Sequence, residues 1–188
     1  MQEPSPGIHQ DTDSLKIGKH AVQLIRDLFT TILPALLIAL FINVYLAEAA
    51  LVENGPSMQP NLHSGNRVMI EKISYRLDTP GRGDVVVAEP SQSDVALIKR
   101  VVALPGETVE VRAGHVFING VTIEEPWVEN FGGPDYARKE IPAGHVFILG
   151  DNRSSSHDSR AIGPISIDDI KGRVWVVYWP FEEIQFVP

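Results

Sequence analysis

Leu28–Ala47, which reads LFTTILPALLIALFINVYLA, divides this chain into two parts. The run contains no Asp, Glu, Lys, Arg or His. A helix of about 20 apolar residues is what crosses the hydrocarbon core of a bilayer. Pro34 lies near the start of the run, where the missing N–H of proline matters least. The segment therefore predicts a transmembrane helix.

Two other interpretations of this run have to be weighed, a buried core helix and a removable signal peptide. A core helix of a soluble domain is seldom so long without a charged residue. A polar leader, residues 1–27, precedes the run, and the run is longer than the usual apolar region of a cleaved signal. We therefore expect a permanent anchor.

The orientation of the anchor is predicted from the basic residues beside it. Those before the run are Lys16, Lys19 and Arg26. The next base after the run is Arg67. Because loops rich in Lys and Arg stay in the cytoplasm, we expect a single-pass protein of the cytoplasmic membrane. Residues 1–27 would be a cytoplasmic tail, 28–47 the span, and 51–188 an extracytoplasmic domain.

Composition excludes several functional classes. The 188 residues include 16 Lys and Arg against 24 Asp and Glu, a formal net charge of −8, so no nucleic-acid partner is expected. The absence of cysteine excludes disulfides, thiol catalysis and thiolate metal sites. His63, His115 and His145 show no ligand spacing, so neither a metal nor another cofactor is expected.

The part after the anchor is predicted to be almost entirely β, because short runs rich in Val and Ile alternate with Gly, Pro, Asn and Asp. The predicted strands are Arg67–Glu71, Val85–Ala88, Ala96–Leu104, Thr108–Arg112, His115–Ile118, His145–Leu149 and Val174–Tyr178. Asn119–Gly120 is the strongest hairpin signal, since a type I′ turn needs positive φ at both central positions. The fold class is therefore mainly β, a compact antiparallel sheet or barrel-like domain after one helix.

Lys99 interrupts one of these apolar strands. Side chains alternate between the two faces of a strand, so Lys99 shares a face with Leu97 and Val101. Burial between apolar neighbours would lower the pKa of the amine and make it a general base near neutral pH. The alternative is an ordinary strand lysine whose ammonium reaches water. The residue alone does not decide between the two.

Ser57 is equally ambiguous by itself. It stands in a turn with Gly55, Pro56 and Pro60, and such serines commonly bond their own backbone. A nucleophile needs the same kind of rigid, exposed loop, with its own N–H free to help hold an oxyanion.

A third block, Gly150–Pro164, packs hydroxyls, two carboxylates and two guanidiniums into one loop after an apolar strand. Such a density of charged hydrogen-bonding groups suits a brace that orients a buried base. With this block the chain resembles the bacterial type I signal peptidases, the membrane-bound Ser/Lys leader peptidases. The matching blocks, in the family's order and spacing, are Ser57–Leu62, Gly83–Val87, Ile98–Glu107 and Gly150–Gly163.

The resemblance implies a role for each of five residues. Ser57 is the nucleophile and Lys99 the general base. Ser156 supplies a hydroxyl that holds the lysine amine, and Asp158 with Arg160 forms a supporting ion pair beside the site.

The resemblance further implies that Met58, Leu62 and Ile98 form shallow apolar pockets for small substrate side chains. Asp151 and Arg153 are implied as additional braces of the same loop. Among the departures from the family pattern, two bear on the site and on the fold. Gly55 stands where some members place a serine that donates to the oxyanion. Residues 107–145 are short for the family's inserted β subdomain, which predicts a compact version.

The implied function is that of a membrane-anchored serine endopeptidase, a monomer. It would cleave signal peptides from exported preproteins after small residues, through an acyl-enzyme on Ser57. Its partners would be the preproteins that emerge from the export machinery and the lipid bilayer. An extended chain from Ala47 to Ser57 covers at most about 35 Å, so the serine is expected close to the membrane surface.

Three other functions fit the sequence less well. A Ser/His/Asp site through His157 and Asp158 is disfavoured, because adjacent loop residues rarely orient one another toward a distant serine. A self-cleaving repressor with Ser/Lys chemistry would need a DNA-binding domain where the anchor stands. A non-catalytic β module that binds exported chains would tolerate loss of Ser57 or Lys99.

Overall fold

The structure is a computed structural model that describes residues 23–53, 55–91 and 95–187. Most of the predicted cytoplasmic tail, residues 1–22, lies outside the described residues. The chain divides into two units between Val44 and Tyr45.

The first described element is a helix, α1, that runs from Gln23 to Leu46. None of its residues is buried, and all but Leu46 are exposed. A regular α-helical segment, Leu33–Phe41, is flanked by wider π-helical turns, and Pro34 stands in the first turn of that segment. By length and composition α1 is a candidate membrane span, at the place that the sequence predicts.

The second unit is mainly β, as the sequence predicts. Its strands are β1 (Ala47–Leu51), β2 (Arg67–Glu71), β3 (Val85–Ala88), β4 (Leu97–Ala103), β5 (Thr108–Arg112), β6 (His115–Ile118), β7 (Val121–Thr122), β8 (Tyr136–Glu140), β9 (His145–Leu149), β10 (Ile165–Ser166), β11 (Ile170–Trp179) and β12 (Gln185–Phe186). Two short helices accompany them, α2 (Ser74–Leu77) and α3 (Ser159–Ile162). Because β1 already belongs to a sheet, the β unit begins before the predicted residue 51.

The strands form two antiparallel sheets. The first has the order β1-β2-β11-β3-β4-β9-β10, with β12 paired to β11. The second has the order β7-β6-β5-β8 and lies within the predicted insertion 107–145. The Asn119–Gly120 hairpin is confirmed, with φ of 53° and 84°. β8 was not predicted, because it is an edge strand whose exposed Ala-Arg-Lys-Glu residues give no apolar alternation.

Apolar side chains are buried in three clusters, and one of them positions the loop that carries Ser57. This cluster contains Met58 and Leu62, which are 2% and 1% exposed. Its other members are Val52, Val68, Ile70, Val85, Val87, Val174 and Val177. Burying a Met or Leu side chain contributes about 1.5–3 kcal/mol, so these two residues fix the loop to the sheet.

Candidate active site

Ser57 is held in place through its backbone. Its carbonyl accepts a hydrogen bond from the Asn152 N–H at 3.0 Å, and the Gln59 N–H donates to the Pro56 carbonyl at 3.0 Å. Met58, the next residue, is buried in the core. Among the described residues no acceptor takes the Ser57 N–H. The serine therefore sits on a fixed turn with its own N–H available.

Lys99 reaches this turn from β4. Its side-chain Nζ lies 3.0 Å from Ser57 Oγ and donates to the Ile98 carbonyl at 2.9 Å. Lys99 is 5% exposed, so its amine does not extend into water as an ordinary strand lysine would. Within the described part of the chain, no carboxylate forms an ion pair with it. The sequence places these two residues 42 positions apart, and the fold brings their polar atoms into hydrogen-bond contact.

Burial lowers the pKa of the Lys99 amine below its ordinary value of 10.5. The negative charges of Asp158 and Asp151 act in the opposite direction without reversing the shift. A lowered pKa increases the share of neutral amine, whose lone pair can take the proton of the Ser57 hydroxyl. The arrangement is that of a nucleophile with an adjacent base.

A cleft of about 800 Å³ opens over these two groups. Its walls come from the segment around Ser57, from the start of β4 and from the loop after β9. The lining residues are Ala50, Leu51, Val52, Glu53, Gly55, Pro56, Ser57, Met58, Val87, Val95, Ala96, Leu97, Ile98, Lys99, Ser155 and His157. Of the predicted pocket residues, Met58 and Ile98 line the cleft. Leu62 does not, because it is turned into the core beneath.

Ser156 lies beside the site, but its hydroxyl does not bond to Lys99 in this structure. Ser156 Oγ is buried and forms no hydrogen bond of good geometry among the described residues, but its hydroxyl is near enough to Asp158 to help lower the pKa of that carboxyl. A β-carbon on Gly150 would come within 2.3 Å of that oxygen and 2.4 Å of the Ser57 carbonyl oxygen. Only glycine therefore allows the end of β9 to approach both loops.

Asp158 and Arg160 form a buried ion pair, with Nε to Oδ1 at 2.9 Å and Nη2 to Oδ2 at 2.9 Å. The Gly150 N–H donates to Asp158 at 3.1 Å. Burial alone would raise the pKa of Asp158. The hydrogen bonds and the charge of Arg160, together with the Gly150 N–H, hold that pKa below its usual range. Asp158 therefore stays ionised next to the cleft.

The loop after β9 is braced by two more buried ion pairs whose partners were not predicted. Arg100 donates to both carboxylate oxygens of Asp151, at 2.9 and 2.8 Å. Arg153 pairs with Glu125, and one of its bonds is 3.0 Å long. Asn61 also donates to Asp151, at 2.8 Å. No pattern in the sequence joins these residues, because the partners are 28 to 90 positions apart.

His157 is exposed at the edge of the cleft, whereas the Ser57 hydroxyl is bonded to the lysine amine. In the residues that the structure covers, no three His, Cys, Asp or Glu side chains are grouped as metal ligands. The expectation that the reaction uses no cofactor stays a prediction.

The known proteins to which this chain is similar are signal peptidases. The family model for signal peptidase, peptidase S26, matches residues 25–179. A signal peptidase I from Leptolyngbya laminosa is 38% identical over 160 residues, which cover 80% of this chain and 77% of that protein. Signal peptidase I T from Bacillus subtilis (strain 168) is 34% identical over 187 residues, covering 94% and 96%.

Among solved structures, a signal peptidase I from Enterococcus faecalis V583 is 30% identical, with a TM-score of 0.45. It covers 52% of this chain and 97% of that one. The family match spans most of the chain, and the relatives align over most of their own length. The chain therefore belongs to the signal peptidases of family S26, and it is an enzyme that cleaves signal peptides.

Proposed function

We propose that Ser57 and Lys99 form the catalytic dyad and that cleavage passes through an acyl-enzyme. The observation that carries this proposal is the 3.0 Å contact between Ser57 Oγ and a buried amine with a lowered pKa. A base must lie within about 2.6–3.2 Å of the proton-bearing atom that it serves. The contact supplies the reach that a general base needs, and the lowered pKa favours its neutral form.

The reaction follows from this contact. Lys99 Nζ takes the proton of the Ser57 hydroxyl while Oγ bonds to the scissile carbonyl carbon. The Ser57 N–H, which has no acceptor among the described residues, is placed to donate to the oxyanion. When the C–N bond breaks, Nζ returns its proton to the leaving amine, which is the mature protein. A water that loses a proton to Lys99 then hydrolyses the ester, which releases the signal peptide and restores the hydroxyl.

The residues around the dyad receive supporting roles in this proposal. Asp158 and Arg160 fix the loop that carries Ser156, and the Ser156 hydroxyl turns toward the amine during the reaction. Met58 and Ile98 line the cleft and select small side chains before the scissile bond. Leu62 supports the Ser57 loop from the core and does not touch substrate.

The proposal includes anchoring of the enzyme by α1 in the cytoplasmic membrane, with the β unit outside the cytoplasm and the enzyme acting as a monomer. β1 begins one residue after α1 ends and advances about 14 Å along its five residues. The turn that carries Ser57 follows directly. Preproteins held in the bilayer by their signal peptides are the substrates that such a position favours.

The dyad is tested with full-length enzyme in vesicles and a preprotein with Ala at the two pocket positions. Ser57→Ala should lose cleavage by at least about 10³-fold, while Ser64→Ala, a matched exposed turn serine, should retain it. Mass spectrometry of acid-quenched wild-type enzyme should find the signal peptide attached to Ser57. Cleavage by the Ser57→Ala variant within tenfold of wild type would overturn the dyad.

A further inference from the structure

The chain immediately after α1 is fastened to a short helical turn, α2. The Lys72 N–H donates to the Leu46 carbonyl at 3.0 Å, and the Arg76 guanidinium lies 5.3 Å from the centre of the Tyr45 ring. β1 and β2 pair so that Ala47 stands opposite Glu71. The end of the candidate span and the start of α2 are therefore at the same edge of the β unit.

One face of this turn is tied to the β unit and the other is free. The Tyr75 hydroxyl donates to Asp84 at 2.8 Å, which fixes the inner face. Ile73, Arg76 and Leu77 are spaced i, i+3 and i+4, so they share one helical face. Leu77 is 84% exposed and Ile73 39% exposed, and Arg76 is exposed between them.

Among the described residues, no carboxylate near this turn forms an ion pair with Arg76, and the exposed Asp78 accepts from the Thr79 N–H at 2.8 Å. Glu48 pairs with Lys72 at 2.6 Å. Glu71 accepts from the N–H groups of Ile73 and Ser74 at 2.5 and 2.8 Å. In the part of the chain that the structure describes, the Arg76 guanidinium contacts the Tyr45 ring and no carboxylate. It is therefore available to an anion outside the protein.

We propose that the face formed by Ile73, Arg76 and Leu77, together with Tyr45, docks on the bilayer surface. Arg76 binds a phosphate of an anionic phospholipid, and the two aliphatic side chains enter the headgroup region. Tyr is enriched at this level of a membrane, and Arg can bind phosphate bidentately. This proposal rests on the anchoring by α1, because the chain leaves the bilayer at Tyr45 and Leu46. Its consequence is a β unit attached to the membrane at two points.

Single cysteines test this docking, since the chain has no cysteine of its own. Full-length Leu77→Cys, Leu36→Cys and Val121→Cys are labelled with an environment-sensitive fluorophore and reconstituted in phosphatidylglycerol and phosphatidylcholine vesicles. Leu36 lies in α1, and Val121 is 68% exposed on β7. Lipid-borne quenchers should quench the labels at 36 and 77 at least threefold more than the label at 121.

The outcomes separate the two proposals. If the label at 36 is in lipid and the label at 77 is quenched only by aqueous iodide, the docking is refuted and the anchor stands. If the label at 36 is also in water, anchoring and docking both fail.

Arg76→Gln in the Leu77→Cys background tests the phosphate contact. It should reduce quenching from phosphatidylglycerol vesicles about twofold and reduce it less from pure phosphatidylcholine, because the choline charge offsets the phosphate there. The matched change Arg138→Gln, on exposed β8, should have no effect in either lipid. Equal quenching of the Arg76→Gln and Arg138→Gln variants in phosphatidylglycerol would refute the role of Arg76.

Discussion

Lys99 and Arg100 are consecutive residues of β4, and they place two buried basic side chains on opposite faces of one strand. Lys99 is 5% exposed and Arg100 is fully buried. Arg100 is paired with Asp151 by two hydrogen bonds and donates to the Gly83 carbonyl at 2.7 Å. Lys99 contacts the Ser57 hydroxyl and a carbonyl, and no carboxylate of the described residues neutralises it.

The difference shows that the two faces of β4 have separate roles, a proposed catalytic role on one face and stabilisation of the fold on the other. A guanidinium does not lose its proton in proteins, so its burial requires a carboxylate partner. An amine without such a partner lowers its pKa instead and becomes a base. The face toward the cleft thus carries a titratable group, and the opposite face carries a permanent ion pair.

The Lys99→Met substitution removes the titratable group from the cleft face of β4, and it has the largest expected effect on activity. Cleavage of a preprotein should fall by at least about 10³-fold, because the general base is lost. The free energy of unfolding should not fall, because the variant no longer buries an amine without an ion-pair partner. The measurements are cleavage kinetics and urea unfolding, and Lys139→Met on exposed β8 is the matched control. A variant that cleaves within tenfold of wild type would contradict the proposed role.

The stability of wild type and Lys99→Met should also differ in pH dependence. The folded-state pKa of Lys99 is lowered, so the unfolded chain binds more protons between that pKa and 10.5. Wild-type stability contains a contribution that rises with pH across this window, and Lys99→Met lacks it. Parallel stability curves for the two proteins would mean that the amine is not desolvated.

The Asp151→Ala substitution removes the ion pair on the opposite face of β4. It removes the Asp151 carboxylate from the buried Arg100 guanidinium, and we expect a loss of about 3–5 kcal/mol in the free energy of unfolding. Urea unfolding measures this loss. Glu110→Ala is the control, because the Arg112–Glu110 pair is partly exposed and should contribute less than about 1 kcal/mol. A similar loss in both variants would show that burial does not distinguish the two pairs.

Local patterns predicted much of this molecule. The apolar run of α1, the alternation of strands such as β4 and the Asn119–Gly120 turn depend on neighbouring residues only, and all three are present. Alternation also predicts that Lys99 and Arg100 face opposite sides. The proximity of Ser57 to Lys99 could be inferred only by resemblance to a family, because their separation carries no local signal.

Local sequence patterns did not predict which residues pair with the buried charged side chains. Glu125, which pairs with Arg153, lies outside the regular strands and reads as an ordinary surface acid in the sequence. Leu62 was assigned to a substrate pocket by resemblance to the family, but the turn after Met58 directs its side chain into the core. Three-dimensional packing decides both cases.

The Ser156→Ala substitution tests the hydroxyl beside Lys99 on the cleft face, and its expected effect on activity is smaller. The buried hydroxyl has no well-formed hydrogen bond in the described structure and only a contact with Asp158, so its loss should change the free energy of unfolding by about 1 kcal/mol or less. If it bonds to the Lys99 amine during the reaction, kcat/KM should fall about tenfold, the value of one hydrogen bond. Kinetics and urea unfolding on the same preparation measure both. An unchanged kcat/KM would remove Ser156 from the proposed mechanism.

Asp158→Asn gives the smallest expected effect on catalysis, a displacement along the pH axis. Because it leaves the buried Arg160 guanidinium without that carboxylate, the free energy of unfolding should fall by about 3–5 kcal/mol, as for Asp151→Ala. Neutral Lys99 is the proposed base, so kcat/KM should rise with pH through the Lys99 pKa. The Asp158 charge raises that pKa, and Arg160 would be left as an unpaired positive charge after the substitution. Both changes favour the neutral amine. The rise in kcat/KM should therefore move to lower pH, and the high-pH plateau should stay within about tenfold of wild type.

The control for this displacement is Glu140→Gln, which neutralises an exposed carboxylate of β8. Circular dichroism at each pH establishes that both variants remain folded over the range used for kinetics. A move of the Asp158→Asn profile to higher pH would mean that the titrating group is not a cation such as Lys99. An unchanged pH profile of kcat/KM would mean that the Asp158–Arg160 pair has no net electrostatic effect on the Lys99 pKa. The pair would then act only through the geometry of its loop.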